Sequence, residues 1–271
     1  MRYEVNEGRV ATWALETHLV DHCNLRCAHC CTRSPELTEL TEQGEGRERF
    51  VEPEALREDL ARARRVLAPQ VFKLTGGEPM LHPRVAEIAA VAKASGIAPV
   101  ISVTTNGLLA GTMGDAFWQS IDRLTVSAYS SAPLPARTRE LIVAKCAAWK
   151  VHLAIKEISR FQRMDREAGA AGGESAGATW AACWLRHRCH MLYGGRFYAC
   201  TRPPHLEQLG VEAGLAERDG CDLELRALLA YLEREEPLAS CTHCLGGAGA
   251  WEPHAQLGLV ELRSRARRAP A

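Results

Sequence analysis

Asp-His-Cys-Asn-Leu-Arg-Cys-Ala-His-Cys-Cys, residues 21–31, decides how this chain is read. Cys23, Cys27 and Cys30 stand at x3 and then x2 spacing, on a segment leaving an alternating stretch at residues 12–20 that predicts a strand. A cubane iron–sulfur cluster has four irons and usually takes four thiolates. Three thiolates from one tight loop therefore leave one iron without a protein ligand. An open position on a bound metal marks a catalytic rather than a structural centre. Zinc sites join C-x2-C pairs to one another or to histidines at helical spacing, and an x3-then-x2 trio is not such a pairing. His29, between two of the cysteines, is expected to point away from a shared metal.

Outward from that loop, strands and helices alternate. Strands are predicted at Val71–Leu74, Ala98–Thr105, Leu124–Ala128 and Val151–Ile158, with helices from Pro53 through Leu67, at 83–94 and at 134–148. Residues 33–48 are polar and carry glycine, which predicts a surface loop. Alternation of this kind argues a parallel sheet of βαβ units, whose site lies at the C-terminal ends of the strands. The cysteine loop, Gly76-Gly77-Glu78-Pro79 and Thr104-Thr105-Asn106 each follow a predicted strand, so all three fall at one end.

Bulk composition excludes several classes. The 271 residues carry 33 basic and 33 acidic side chains, a formal net charge of zero, so nucleic acid is not an expected partner. No run of 18 apolar residues suggests a membrane span. The N-terminus lacks a basic patch followed by an apolar core, so no secretory signal is expected. Eleven cysteines then argue for metal ligation in a reducing compartment, and a cytoplasmic location is the expectation.

Cys-Asn-Leu-Arg-Cys-Ala-His-Cys resembles the CxxxCxxC signature of the radical S-adenosylmethionine (SAM) enzymes. The resemblance implies a partial (β/α)6 TIM-type barrel over residues 1–166 and a [4Fe–4S] cluster on Cys23, Cys27 and Cys30. SAM would chelate the open iron, and electrons would come from a donor such as flavodoxin or ferredoxin. Gly76, Gly77, Glu78 and Pro79 resemble the family's GGEP motif, which engages the SAM amino group; their plain reading is a strand-to-helix turn needing positive φ. Thr104 and Asn106 are either turn caps or SAM contacts, and Ser127 is either an edge hydroxyl or a ribose contact. Lys156, Glu157 and Arg160 are solvated charges or substrate-cavity groups.

Residues 167–180 are rich in Gly and Ala and read as a linker. Beyond them, at 181–250, a hairpin over 191–199 and a helix at 222–235 carry further cysteines. Cys183, Cys200, Cys241 and Cys244 form either a zinc site or, as in the twitch and SPASM modules that the spacing resembles, the ligands of a second, auxiliary [4Fe–4S] cluster. Of the four cysteines left over, Cys146 reads as core, Cys31 adjoins the cluster loop, and Cys189 and Cys221 are candidate hydrogen-atom donors or alternative ligands. The tail, 251–271, is expected to fray, with Trp251 and His254 covering the auxiliary site. The whole layout resembles radical SAM dehydrogenases and epimerases of aminocyclitols and amino sugars. It implies oxidation or epimerisation of a small polar substrate. Peptide maturation and a non-catalytic iron–sulfur or zinc protein are the alternatives.

Overall fold

The computed structural model describes residues 3–44, 48–166 and 175–267. Its centre is β2 (Arg9–Val20), with β1 (Val5–Asn6) folded back on its start. β3 (Leu67–Gly76), β4 (Val100–Thr105), β5 (Arg123–Tyr129) and β6 (His152–Ile158) follow in parallel register, each beside its predecessor. On the other side of β2, β8 (Met191–Tyr193) pairs parallel through Glu16 and Met191, and β9 (Arg196–Tyr198) closes the hairpin. The order β6-β5-β4-β3-β2-β8-β9 is an open, mostly parallel sheet of the partial TIM-barrel type. β7 (Arg160–Gln162) lies off it, paired with β10 (Trp251–Pro253).

Successive side chains of a strand face opposite sides, and here the two sides differ in chemistry. Leu15, Leu19, Phe72, Leu74, Ile101, Val103, Leu124 and Val126 belong to one apolar core. Leu56 and Leu60 of α2 (Pro53–Ala63), Ile88 and Ala92 of α3 (Val85–Ser95), and Ile142 of α5 (Ala136–Trp149) complete it. The alternate positions are polar: Glu16 and His18 on β2, Lys73 and Thr75 on β3, Ser102 and Thr104 on β4, Thr125 and Ser127 on β5, Lys156 on β6. A sheet that buries apolar groups under helices and keeps a polar inner face has kept that face for a ligand.

The structure revises four boundaries. Residues 34–42 are not a loop but α1 (Ser34–Glu42), which packs on α10 (Leu259–Arg267) and buries Glu36 and Glu39. Arg33 at 2.9 Å from Glu36 and Arg263 at 2.9 Å from Glu39 supply the counter-charges that a polar sequence needs to be buried. α2 stops at Ala63, because Leu67 already begins β3. The predicted linker falls partly outside the described residues, at 167–174, and its remainder starts α6 (Ala176–Ala182), capped by Ser175. The tail does not fray over its described part, where it forms β10 and α10. Among the described residues no helix is long and apolar enough to cross a membrane.

Candidate active site

The cysteine loop and the Gly-Gly turn are built against each other. Gly77 N–H donates to Val20 O at 2.9 Å, and Glu78 N–H donates to His22 O at 3.0 Å. A Cβ on Gly77 would stand 1.9 Å from His22 O, and one on Gly76, at φ +129°, would stand 2.3 Å from Val20 O. The glycines are thus required by close backbone approach. Glu78 is fully buried: Oε1 accepts from Thr105 Oγ1 at 2.7 Å and Met80 N–H at 3.0 Å, and Oε2 accepts from Asn106 N–H at 2.8 Å. Burial pushes its carboxyl above the ordinary range, and the three donors pull against that shift. Pro79 starts the one-turn 3-10 helix after it. Asn106 donates from Nδ2 to Asn24 Oδ1 at 2.7 Å, tying the end of β4 to the loop.

Two N–H donors and one hydroxyl approach the loop's sulfurs. Leu25 N–H lies 3.4 Å from Cys23 Sγ, Gln256 Nε2 lies 3.3 Å from Cys27 Sγ, and Thr32 Oγ1 lies 3.2 Å from Cys30 Sγ. Gln256 belongs to a C-terminal strap that pairs with the loop. Ala28 N–H donates to Ala255 O, Leu257 N–H to Arg26 O, and Arg26 N–H to Gln256 Oε1. His254 stacks on Tyr129 with ring centroids 4.6 Å apart, and Ser131 Oγ meets its Nδ1 at 2.8 Å. His254 is therefore found beside the N-terminal loop, not over the C-terminal cysteines as the sequence suggested. His29 takes a left-handed φ of 61°, which bends the loop between the second and third cysteines.

Cys183, Cys200, Cys241 and Cys244 line one cavity with Trp180 and Arg202. Gly246 N–H lies 3.2 Å from Cys244 Sγ and Arg202 N–H lies 3.4 Å from Cys200 Sγ. Cys183 caps α6, and Gly246 leaves room beside its sulfur, where a Cβ would come within 3.4 Å. A single zinc with Zn–S bonds of about 2.3 Å would draw its thiolates to within about 4 Å of one another. Among the described residues the only set of three such ligand atoms within 4.8 Å of one another is His18, Asp21 and His205.

Of the four residues read as catalytic, Lys156 lies on the inner face of the sheet and Cys189 stands near its charged groups. Cys189, just before β8, senses Glu16 and Lys73 as its nearest charges after burial, which pushes its thiol up to about 12. Cys31, on the loop, senses Glu16 and Cys189 as well. Lys156 shares the inner face opposite Ser127 but is exposed, and Glu157 points the other way to Arg139 at 2.7 Å. Arg160 Nη2 donates to Trp251 O at 2.7 Å and so anchors the strap. Cys221 pairs with Phe197 at the hairpin's outer edge, next to Asp222 and Arg196, apart from these groups. Cys146 is core. Glu16, His18 and Lys73 were missed in the sequence, although their period-2 placement on one strand face was the available signal. Burial opposes ionisation of Glu16, but the His18 hydrogen bond and Lys73 outweigh it and hold the carboxyl below its ordinary range.

An open parallel sheet with buried thiols, a glycine cradle and a polar inner face at its strand ends defines an α/β enzyme built for a metallocofactor. A family profile described as the radical SAM superfamily matches residues 18–160, just over half of the chain, and the protein belongs to that superfamily. Membership implies SAM and a [4Fe–4S] cluster as cofactors. The chain is 31% identical over 126 residues to the GTP 3',8-cyclase of Microcystis aeruginosa, covering 44% of this chain and 35% of that enzyme. It is 36% identical over 121 residues to GTP 3',8-cyclase 2 of Mycobacterium bovis, covering 44% and 32%. The match thus spans about a third of the length of these curated relatives. Among solved structures, BtrN in complex with AdoMet and 2-DOIA aligns over 82% of both chains at 11% identity and TM-score 0.47. Native anSMEcpe with bound AdoMet aligns over 52% of this chain and 43% of that one, at 16% identity and TM-score 0.38.

Proposed function

We propose that the protein removes a hydrogen atom from a small polar substrate of the amino-sugar or aminocyclitol kind, leading to carbinol oxidation or epimerisation. The observation that carries this reading is the pair of cysteine sets, each with N–H or O–H donors on its sulfurs, flanking the polar inner face of one sheet. Cys23, Cys27 and Cys30 would hold the first cluster, and Cys183, Cys200, Cys241 and Cys244 an auxiliary one. Bound there, SAM and its cluster supply one-electron chemistry that takes a hydrogen atom from substrate. The chain's own part is positional. Gly76 and Gly77 open strand-end carbonyls to an ammonium, Glu78 braces that turn from below, and Thr104, Asn106 and Ser127 stand along the adjoining strand ends. Glu16, held as an anion beside Lys73, gives the inner face the acceptor that an amine or hydroxyl substrate needs.

Oxidation is favoured by the second cysteine set, which would hold a cluster able to accept the second electron from the substrate radical. Epimerisation is favoured by Cys189, whose half-buried thiol, pushed up to about 12, stays protonated at neutral pH and keeps a hydrogen to return. The test is anaerobic iron and sulfide loading, reduction with dithionite, and assay for 5′-deoxyadenosine. Its formation by the full chain and loss in Cys30→Ala is expected; no 5′-deoxyadenosine with any reductant overturns the reading. With an aminocyclitol as substrate, a ketone marks oxidation, whereas solvent deuterium in unoxidised product marks thiol return. Turnover of GTP in place of the aminocyclitol would assign the chain the activity for which its curated relatives are named.

A further inference from the structure

One cation of the C-terminal module is buried together with its cysteines. Arg202 stands two residues after Cys200 and, at 2% exposed, is among the largest side chains wholly inside the protein. It lines the cavity that Cys183, Cys200, Cys241 and Cys244 share. Its Nη1 reaches back to the N-terminal loop and donates to Cys31 O at 3.1 Å. We propose that Arg202 sets the reduction potential of a cluster on these four cysteines, raising it so that the cluster accepts an electron from a substrate radical. The inference rests on reading the four as ligands of an auxiliary cluster.

Three observations point to that role. First, a guanidinium taken out of water needs anions around it. Among the described residues Asp165 is the carboxylate paired with Arg202, and Asp165 is shared with Arg33 at 3.3 Å. The buried cation is therefore only partly compensated by the protein. Second, Nε is fully enclosed and makes no hydrogen bond. Buried N–H groups are otherwise almost always partnered, and the sulfurs of a cluster in this cavity would supply the acceptor. Third, the backbone N–H of Arg202 lies 3.4 Å from Cys200 Sγ, and the guanidinium charge bears on the same sulfur, opposing the burial that pushes its thiol up. Cys244 acts on Arg202 in return. Arg186 also lines the cavity, but it is partly exposed and rests over the Trp180 ring at 4.5 Å, where solvent screens it.

Charge decides the sign. A cluster held by four thiolates carries net negative charge that grows by one on reduction, so a fixed cation beside it favours the reduced state. In carbinol oxidation the substrate radical completes a C=O bond. Its O–H proton passes to an acceptor such as Glu16, and its electron reduces the cluster by one. A raised potential drives that transfer forward, whereas epimerisation makes no use of it. Arg202 thus acts through the cluster and not on the substrate. Its bonds to Cys31 O and Asp165 fix the guanidinium where it acts.

The test is an EPR-monitored redox titration of the full, iron-loaded chain carrying Cys27→Ala, in which the second cysteine set is the one left to hold a cluster. Adding Arg202→Gln is expected to make reduction about tenfold less favourable, about 59 mV for one electron, and Arg202→Lys, which keeps the charge, should shift it less. Asp165→Asn removes the opposing carboxylate and should raise the potential. Loosened packing would admit water and raise it in every variant, so the opposed signs separate charge from structure. Should Arg202→Gln lose its iron, Asp165→Asn decides: no shift, or a downward one, overturns the proposal. With iron retained, an upward shift in Arg202→Gln, or a change below about twofold, overturns it and leaves the cluster reading standing. No iron in the Cys27→Ala chain overturns that reading, and the proposal falls with it.

Discussion

Gly77 and Gly96 are one residue type under opposite constraints. Gly96 sits at φ +64° with nothing within 4 Å of a Cβ, so Gly96→Ala should cost about 1 kcal/mol of left-handed strain. Gly77→Ala drives a methyl into His22 O, and the cysteine loop must move. Thermal melts should separate the two by several degrees, and SAM binding by equilibrium dialysis should fail only in Gly77→Ala. Gln256 tests a subtler contact. An N–H on a cluster sulfur stabilises the reduced state, so Gln256→Leu should lower the midpoint potential of the Cys23–Cys27–Cys30 cluster by roughly tens of millivolts. An EPR-monitored redox titration reads this, and an unchanged potential with intact signal would deny Gln256 any tuning role. His190 carries the pH dependence. Its Nε2 meets Arg186 O at 3.0 Å and burial pulls its pKa down to about 4. Because the folded value lies below the unfolded one, the stability from keeping it neutral is complete above about pH 6.5. That stability is lost as pH falls toward 4, about 3 kcal/mol in all. Urea unfolding between pH 7.5 and 4.5 should show this slope, and His190→Gln should flatten it.

At the scale of elements, what the sequence revealed followed from period and spacing. The strands of the barrel were legible because each buries an apolar alternation or run under a helix, and the strand-end motifs followed from that. α1 was not legible: its turns show Ser, Pro, Glu and Thr, and it is buried only because Arg33 and Arg263 neutralise Glu36 and Glu39 from elsewhere. The strap at 251–257 was hidden for a related reason. Half of its hold on the cysteine loop is made of backbone hydrogen bonds, which leave no mark in side-chain pattern, and the rest comes from the one Gln256 side chain. Arg202 shows the same limit for the site, since nothing local joins it to Cys31 on the loop. A chain ending at Ala250 tests the strap. It loses four hydrogen bonds to the loop and the Leu257 and Leu262 contacts with Ala28. Its iron–sulfur absorbance should bleach several-fold faster in air than that of the full chain, with unchanged rates arguing that the loop is shielded without it.

For the whole molecule the two cysteine sets pose one question, how many clusters the chain holds, and iron counting decides it. β8 joins β2 at Glu16, which places the C-terminal module on the same sheet edge that carries the inner-face polar groups. Cys31 O also accepts from buried Arg202, whose guanidinium pairs with Asp165, so the loop and the module are tied by a cation that cannot be solvated elsewhere. Two cubanes should give about eight irons per chain. Cys241→Ala should lower this to about four while 5′-deoxyadenosine formation survives in the absence of substrate, because the N-terminal trio is untouched. Cys27→Ala should also leave about four irons, but with no SAM cleavage. About four irons in wild type, with Cys241→Ala unchanged, would show that the C-terminal set holds no cluster. Oxidation would then lack its acceptor, and thiol return from Cys189 would become the reaction that the chamber supports.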